Sequence, residues 1–367
     1  MNILKIREDT LKVKLRRECE YINIILKITN NCNLSCKYCY ITNKRIDCDV
    51  NKIVKAIDSI ALNHDKFLDI CFHGGEPLLK FDLIKNIISV LETKEYLWRL
   101  SLSIQTNGTI ISEEIINYLK SKNIGIGISL DGLAEDHNIN RVFKNGIGTF
   151  DIIKNNLKFL IKKQVECGVL ITLNNKNIKN IKTLIEFLNE YNIKFASFNH
   201  IITNNNELKI NNEELFLMYK DLINYLKLIN KYKEKSERLI IRNLQGMIFK
   251  VKDKNYRRDM CLCYPCGIGK NVLTIDVDGQ LYPCDWLVGN QEYEIKSNNI
   301  KELLFETNFI DCACSDCDVN NYCSRGCICK KILLGIKEEE LCSFYKKIYK
   351  YIEEKLNENE NYFDEII

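Results

Sequence analysis

The chain has 367 residues, 46% of them hydrophobic and 28% charged, with a formal charge of +4, which leaves room for two or three domains of about 150 residues each. This is the composition of an ordinary globular protein. No run reaches the roughly 18 apolar residues of a membrane span and the charged first twenty residues have no signal-peptide core, so no membrane association and a cytoplasmic address are expected. So small a charge excludes nucleic-acid binding by bulk electrostatics. Eighteen cysteines in a chain without an export signal point to metal ligation rather than disulfides, because a reducing cytosol keeps thiols free.

After an extension over 1–21, the apolar run 22–29 predicts a first strand. Directly behind it stand Cys32, Cys36 and Cys39, as C-N-L-S-C-K-Y-C-Y. Three thiolates are supplied around one point, and no fourth. A cubane iron–sulfur cluster normally takes four cysteines, so one held by these three keeps an iron open to something other than protein. Asp49 can cap a helix to residue 63, with Ile53, Ile57, Ile60 and Ala61 on one face. A strand over 67–73 runs into Gly74-Gly75-Glu76-Pro77, and a helix covers 83–93. The strand over 100–106 leads to Gln105-Thr106-Asn107-Gly108, followed by a helix over 113–122. The strand over 124–130 carries Ser129-Leu130-Asp131-Gly132, with His137-Asn138-Ile139-Asn140-Arg141 behind it.

Helix 150–163, strand 166–173, helix 178–190 and strand 195–202 complete the alternation. Strands each followed by a helix imply a parallel sheet with right-handed crossovers. The expected fold is therefore α/β, an open partial (β/α)6 barrel. Its chemically loaded segments all sit where strands end, the active-site mouth of such barrels. A connector helix over 213–234 closes this domain, taken as 22–242. A Cys-rich second domain over 256–345 follows, and a helix and tail over 346–367 end the chain. Eleven of the eighteen cysteines lie between Cys261 and Cys342.

The three-cysteine loop, GGEP, QTNG and SLDG together resemble the radical SAM superfamily, whose open iron binds the amine and carboxylate of S-adenosylmethionine (SAM). The resemblance implies that Cys32, Cys36 and Cys39 ligate a catalytic [4Fe–4S] cluster. Tyr38 would touch adenine, and Gly74, Gly75, Glu76 and Pro77 would meet the methionyl end. Gln105, Thr106 and Asn107 would line the next strand end, with Ser129 and Asp131 at the ribose. Arg141 would pair with the SAM carboxylate, and Leu170 would flank adenine. A structural zinc site short of one ligand is the competing reading of the cysteines alone.

The second half is similar to the SPASM subgroup. Cys266-x12-Gly279-x4-Cys284 precedes Cys314-x2-Cys317-x5-Cys323-x3-Cys327 and a lone Cys342. The resemblance implies two auxiliary [4Fe–4S] clusters. One would use Cys266, Cys284, Cys327 and either Cys261 or Cys263, with Cys261 favoured; the other would use Cys314, Cys317, Cys323 and Cys342. Two four-cysteine zinc sites suit the same spacing.

The expected activity is generation of a 5′-deoxyadenosyl radical and oxidative modification of a peptide or protein substrate, with flavodoxin or ferredoxin as electron donor. F-H-G-G-E-P-L-L, Q-T-N-G-T and S-L-D-G place a maturase of ribosomally made peptides first. Too few residues precede the first strand for a fused leader-binding domain, so a separate leader-peptide-binding protein is a possible partner. The alternative is an anaerobic sulfatase-maturating enzyme, which oxidises Cys or Ser to formylglycine. Such enzymes carry an aspartate after the SPASM cysteine as presumed base, matched by Cys284-Asp285, but typically show Gln where His73 stands and Phe where Tyr40 stands.

Overall fold

The computed structural model describes residues 21–41, 46–253, 256, 267–269, 271–296, 317–323, 327–335 and 338–367, the side chains of 338–341 excepted. Cys261, Cys263, Cys266 and Cys314 lie outside the described residues. The chain divides into two compact units. The first comprises Met1–Asn31, Lys44–Ser103 and Ile268–Glu306, the second Cys32–Asn43, Ile104–Gly267 and Thr307–Ile367.

In the first unit, β1 (Tyr21–Thr29) pairs in parallel with β2 (Phe67–Gly74), Lys27 lying opposite His73. Ile22, Ile24, Leu26 and Ile28 share one face of β1 and are fully buried. Alternation puts Asn23, Ile25, Lys27 and Thr29 on the other. Helix α1 (Val50–Asn63) starts where Asp49 accepts from the Asn51 and Lys52 amides, and its expected apolar face is buried. A 3-10 turn, Pro77–Lys80, leads into α2 (Phe81–Leu91). The first residues of β3 (Leu100–Thr106) extend the sheet beyond β2.

One pairing comes from far along the chain. Within the stretch assigned from sequence to the Cys-rich domain, β8 (Val272–Ile275) runs parallel to β1, with Ile25 opposite Thr274, and β9 (Leu281–Tyr282) returns antiparallel to it. The cause is local. Val-Leu-Thr-Ile is a short β-branched run closed by a turn at Gly279, whose φ of +82° suits glycine.

The second unit holds the end of β3, then β4 (Gly125–Ser129), α4 (Ala134–Asn140), α5 (Phe150–Lys162), β5 (Cys167–Leu173), α6 (Ile181–Glu190) and β6 (Phe195–His200). Between β3 and β4 stands α3 (Glu113–Ser121), capped by Ser112. The strands follow chain order, ending with two-residue β7 (Ile240–Ile241), and β4–β5, β5–β6 and β6–β7 pair in parallel. Helix α7 (Asn212–Asn230), capped by Asn211, packs on a C-terminal helix, Glu338–Glu358, through Tyr219 and Phe344. Residues 242–252, where a domain boundary was expected, form helix α8 (Arg242–Lys252). A short helix, Ile328–Leu334, opens at Cys327.

Candidate functional site

In the second unit the cysteine loop is hung on the segment behind α4. The Ser35 amide donates to the Val142 carbonyl at 2.8 Å and the Lys37 amide to that of Asn140 at 3.0 Å. Cys32 and Cys36 are half-buried and Cys39 is exposed. Two N–H groups point at Cys32 Sγ: the Leu34 amide at 3.4 Å and Asn107 Nδ2 at 3.8 Å. Asn107 also donates to Asn33 Oδ1 at 2.8 Å, Asn33 donates to Thr109 Oγ1 at 2.8 Å, and the Thr109 hydroxyl donates back to Asn107 Oδ1 at 2.7 Å. The ring of amide and hydroxyl bonds fixes Asn107 under the first cysteine.

Asp131, wholly buried, organises the other side of the loop. It accepts from Arg141 Nε at 2.9 Å, from the Thr172 amide at 2.9 Å and from the Tyr38 hydroxyl. Its own amide donates to His137 Nδ1, and Asn177 caps its carbonyl. Burial pushes His137 down to about 4, so the ring is a neutral acceptor whose other nitrogen meets Thr149 at 2.9 Å. Burial works against the Arg141 cation, but Asp131 outweighs it and raises its pKa. The guanidinium also lies 5.5 Å from the Tyr38 ring centroid, a cation–π distance. Gln105 donates to Ser129 Oγ at 3.1 Å, and Leu170 is Ser129's register partner on β5. Asn140 is fully buried, and among the described residues its amide has no hydrogen-bond partner.

In the first unit, Gly74 and Gly75 are required by backbone approach. A Cβ would fall 2.3 Å from the Thr29 carbonyl oxygen at the first and 2.2 Å from that of Asn31 at the second. Gly74 also has a φ of +119°. Glu76 is wholly buried and caps the Leu78 amide at 3.0 Å, and Pro77 starts the 3-10 turn. Asp47 ties this corner together, accepting from Thr29 at 2.6 Å and Asn31 at 2.9 Å and pairing with Lys80 at 2.6 Å.

The same unit carries an ion pair that sequence reading missed. Lys27 Nζ lies 3.2 Å from Asp285 Oδ1, the two side chains 4% and 7% exposed. Lys27 passed unremarked inside an apolar run, yet a buried lysine calls for a charged partner. Asp285 opens a one-turn 3-10 helix directly after Cys284. In the second unit, Cys323 is buried and Cys327, Cys317 and Cys342 are half-buried. A hydrogen bond with Cys329, together with Lys330, pulls the Cys327 thiol down to about 7 against its burial. Cys327 and Lys330 line a small cavity with His200 and Tyr345.

Residues 26–188 match the Radical SAM superfamily. The chain belongs to that superfamily. It is 33% identical over 288 residues to an uncharacterised protein of Methanocaldococcus jannaschii, covering 76% of this chain and 92% of that one. It is 27% identical over 361 residues to a cysteine-type anaerobic sulfatase-maturating enzyme of Clostridium novyi, covering 89% and 93%. The solved structure of native anSMEcpe with bound AdoMet and Cp18Cys peptide superposes with a TM-score of 0.77 at 20% identity, over 92% of this chain and 98% of that one. The α/β fold with a mostly parallel sheet is thus that of radical SAM/SPASM enzymes. The chain is a SAM-dependent iron–sulfur enzyme, of a family that uses a [4Fe–4S] cluster and SAM.

The residues present fit those groups. Burial and the charges of Cys39 and Cys32 push the Cys36 thiol up to about 11, with Arg141 opposing. Thiolates that repel one another in this way suit a strongly cationic core. Among the described residues no three His, Cys, Asp or Glu side chains converge on a single ion, whereas a cubane takes each thiolate on its own iron. Asn140 offers a buried donor and acceptor beside the loop, and a guanidinium anchored through Nε is suited to pair with a carboxylate. When bound, cluster and SAM supply the radical that starts the reaction. Cys32, Cys36 and Cys39 would hold the first, with Asn107 bearing on it. Asp131 keeps Arg141 and Tyr38 oriented.

Proposed function

We propose that this radical SAM enzyme oxidises the side chain of a cysteine or serine within a peptide segment, as a sulfatase-maturating enzyme does. This is the second of the two expectations drawn from sequence. The observation that carries it is the buried Lys27–Asp285 pair. It sets a carboxylate directly behind Cys284, where the mechanism needs a group that handles the substrate's proton as the radical is oxidised. Similarity to the Clostridium novyi relative along nearly the whole of both chains supports it. The peptide maturase remains the second reading, favoured by His73 standing where sulfatase-maturating enzymes typically carry Gln.

On this reading Cys261, Cys266, Cys284 and Cys327 hold one auxiliary cluster and Cys314, Cys317, Cys323 and Cys342 the other. A flavodoxin or ferredoxin of the cytoplasm supplies electrons. The SAM contacts are those assigned above to Tyr38, Glu76, Gln105, Thr106, Ser129 and Arg141. An extended peptide is the expected substrate, ordered at a cost of about 1–2 kcal/mol per fixed backbone residue. The test is mass spectrometry of peptides incubated with the anaerobically reconstituted enzyme, SAM and reductant. Conversion of a sulfatase-derived Cys or Ser peptide to the aldehyde supports the reading. Crosslinking of a short cognate peptide with no aldehyde formed would transfer the assignment to the maturase.

A further inference from the structure

We propose that the cavity at the end of β6 is a substrate subsite for an acidic side chain of the peptide, its carboxylate held between Lys209 and Lys330. This rests on the oxidase reading above and names a feature of the substrate that the reading leaves open. The cavity lies wholly within the second unit and measures about 50 Å³, room for a few waters or for a carboxylate with its methylene. Strands β4, β5 and β6 run parallel. The carboxyl end of β6 therefore lies at the same end of the sheet as Asp131, which follows β4. Cys327 forms one wall, so on that reading an occupant sits beside the auxiliary cluster.

Charge decides the class of occupant. Among the described residues that line the cavity, Lys209 and Lys330 are the charged ones and none is acidic. His200 adds no charge: burial, with Lys330 beside it, brings its pKa down to about 4. Its Nε2 meets the Tyr219 hydroxyl at 3.0 Å. Ile201 and Leu215, both buried, supply apolar wall for the methylenes of Asp or Glu. A basic side chain would meet two like charges, and an apolar one would take two ammonium groups out of water with no return.

The walls stand on fixed backbone. The Asn205 side chain accepts from the Glu207 amide at 2.9 Å, and its carbonyl accepts from the Lys209 amide at 3.0 Å. Between them Leu208 is buried, and its carbonyl accepts from the Asn175 amide at 3.0 Å. The His200 ring packs edge-on against Phe344, centroids 5.6 Å apart. Walls set in advance lower the ordering cost of binding. Lys209 is exposed, which gives the cavity an entry from solvent.

The experiment reads binding and conversion separately, using reconstituted enzyme, SAM and C-terminally amidated Cys peptides. Glu, Gln or Lys is scanned through the positions on either side of the cysteine. Binding is followed by fluorescence anisotropy of labelled peptides, and conversion as aldehyde formed per 5′-deoxyadenosine. At one position Glu should bind on the order of tenfold more tightly than Gln, the scale of one hydrogen bond to a charged group, and Lys more weakly still. Lys209→Gln should remove that preference with iron content unchanged, and Lys330→Gln should weaken it. Lys209→Glu should transfer the preference to the Lys peptide, a reversal that damage to the fold would not produce. If Glu and Gln peptides bind equally at every position, or if the preference survives both Gln variants, the subsite is refuted. A Glu preference in binding with no aldehyde from any of these peptides or their Ser counterparts would leave the subsite standing and sink the oxidase reading instead.

Discussion

Asn107 and Asp47 each show how a single side chain sets the properties of its own surroundings. Asn107 aims an N–H at Cys32 Sγ at 3.8 Å and is held there by Asn33 and Thr109. Hydrogen bonds to a cluster's sulfurs stabilise its reduced, more negative state. Asn107→Ala should therefore shift the midpoint potential of the SAM-binding cluster to more negative values with iron content retained; an EPR-monitored titration showing no shift refutes this role. At Asp47 burial raises the pKa, but hydrogen bonds from Lys80, Thr29 and Asn31 outweigh it and hold the carboxyl below its usual value. A depressed folded value means the latch contributes fully above the unfolded value of about 3.9 and is lost as pH falls through the folded one. Asp47→Asn should melt below wild type at neutral pH, and the gap should close in strong acid. A gap that persists there, in paired thermal melts, would mean that Asp47's charge is not the cause.

At the scale of elements, the alternation of strands and helices through residue 200 was legible because each strand is an apolar run and each helix has a buried stripe, as with Ile53, Ile57 and Ile60. The ends moved by a residue or two, β4 stopping at Ser129 and β6 at His200. Three features escaped. Helix α4 was hidden because Ala-Glu-Asp-His-Asn-Ile-Asn has no apolar stripe and is held instead by His137, Asp131 and Thr149. Strand β8 is too short to declare its partner, and only the register with β1 reveals it. Lys27 was masked by its neighbours, since its ion-pair partner Asp285 lies far away in sequence. The GGEP glycines were expected to meet the methionyl end of SAM; Thr29 and Asn31 by themselves already exclude a Cβ at Gly74 and Gly75. Gly75→Ala should accordingly cost cooperative folding as well as SAM binding. A variant with wild-type melting that fails only to bind SAM would show that the ligand alone sets this position.

For the whole molecule, motif spacing carried the family because ligation geometry and strand-end placement are written locally. Substrate identity was not legible, because groups the fold brings together, such as Lys27 and Asp285, lie far apart in sequence. Metal content offers a test at this scale. Three cubanes require about twelve irons per chain, and zinc bound in place of iron by the cysteines of the Cys-rich second domain after anaerobic reconstitution would refute the proposed auxiliary clusters.

The most direct test of the central claim is transfer of the hydrogen atom itself. A peptide carrying deuterium on the Cys β-carbon is incubated with SAM and reductant, and 5′-deoxyadenosine is analysed by mass spectrometry. The account predicts deuterium in the 5′-deoxyadenosine and none of that product when Cys32, Cys36 and Cys39 are all replaced by Ala. Aldehyde formed without deuterium transfer, or transfer that survives loss of the three cysteines, would contradict it.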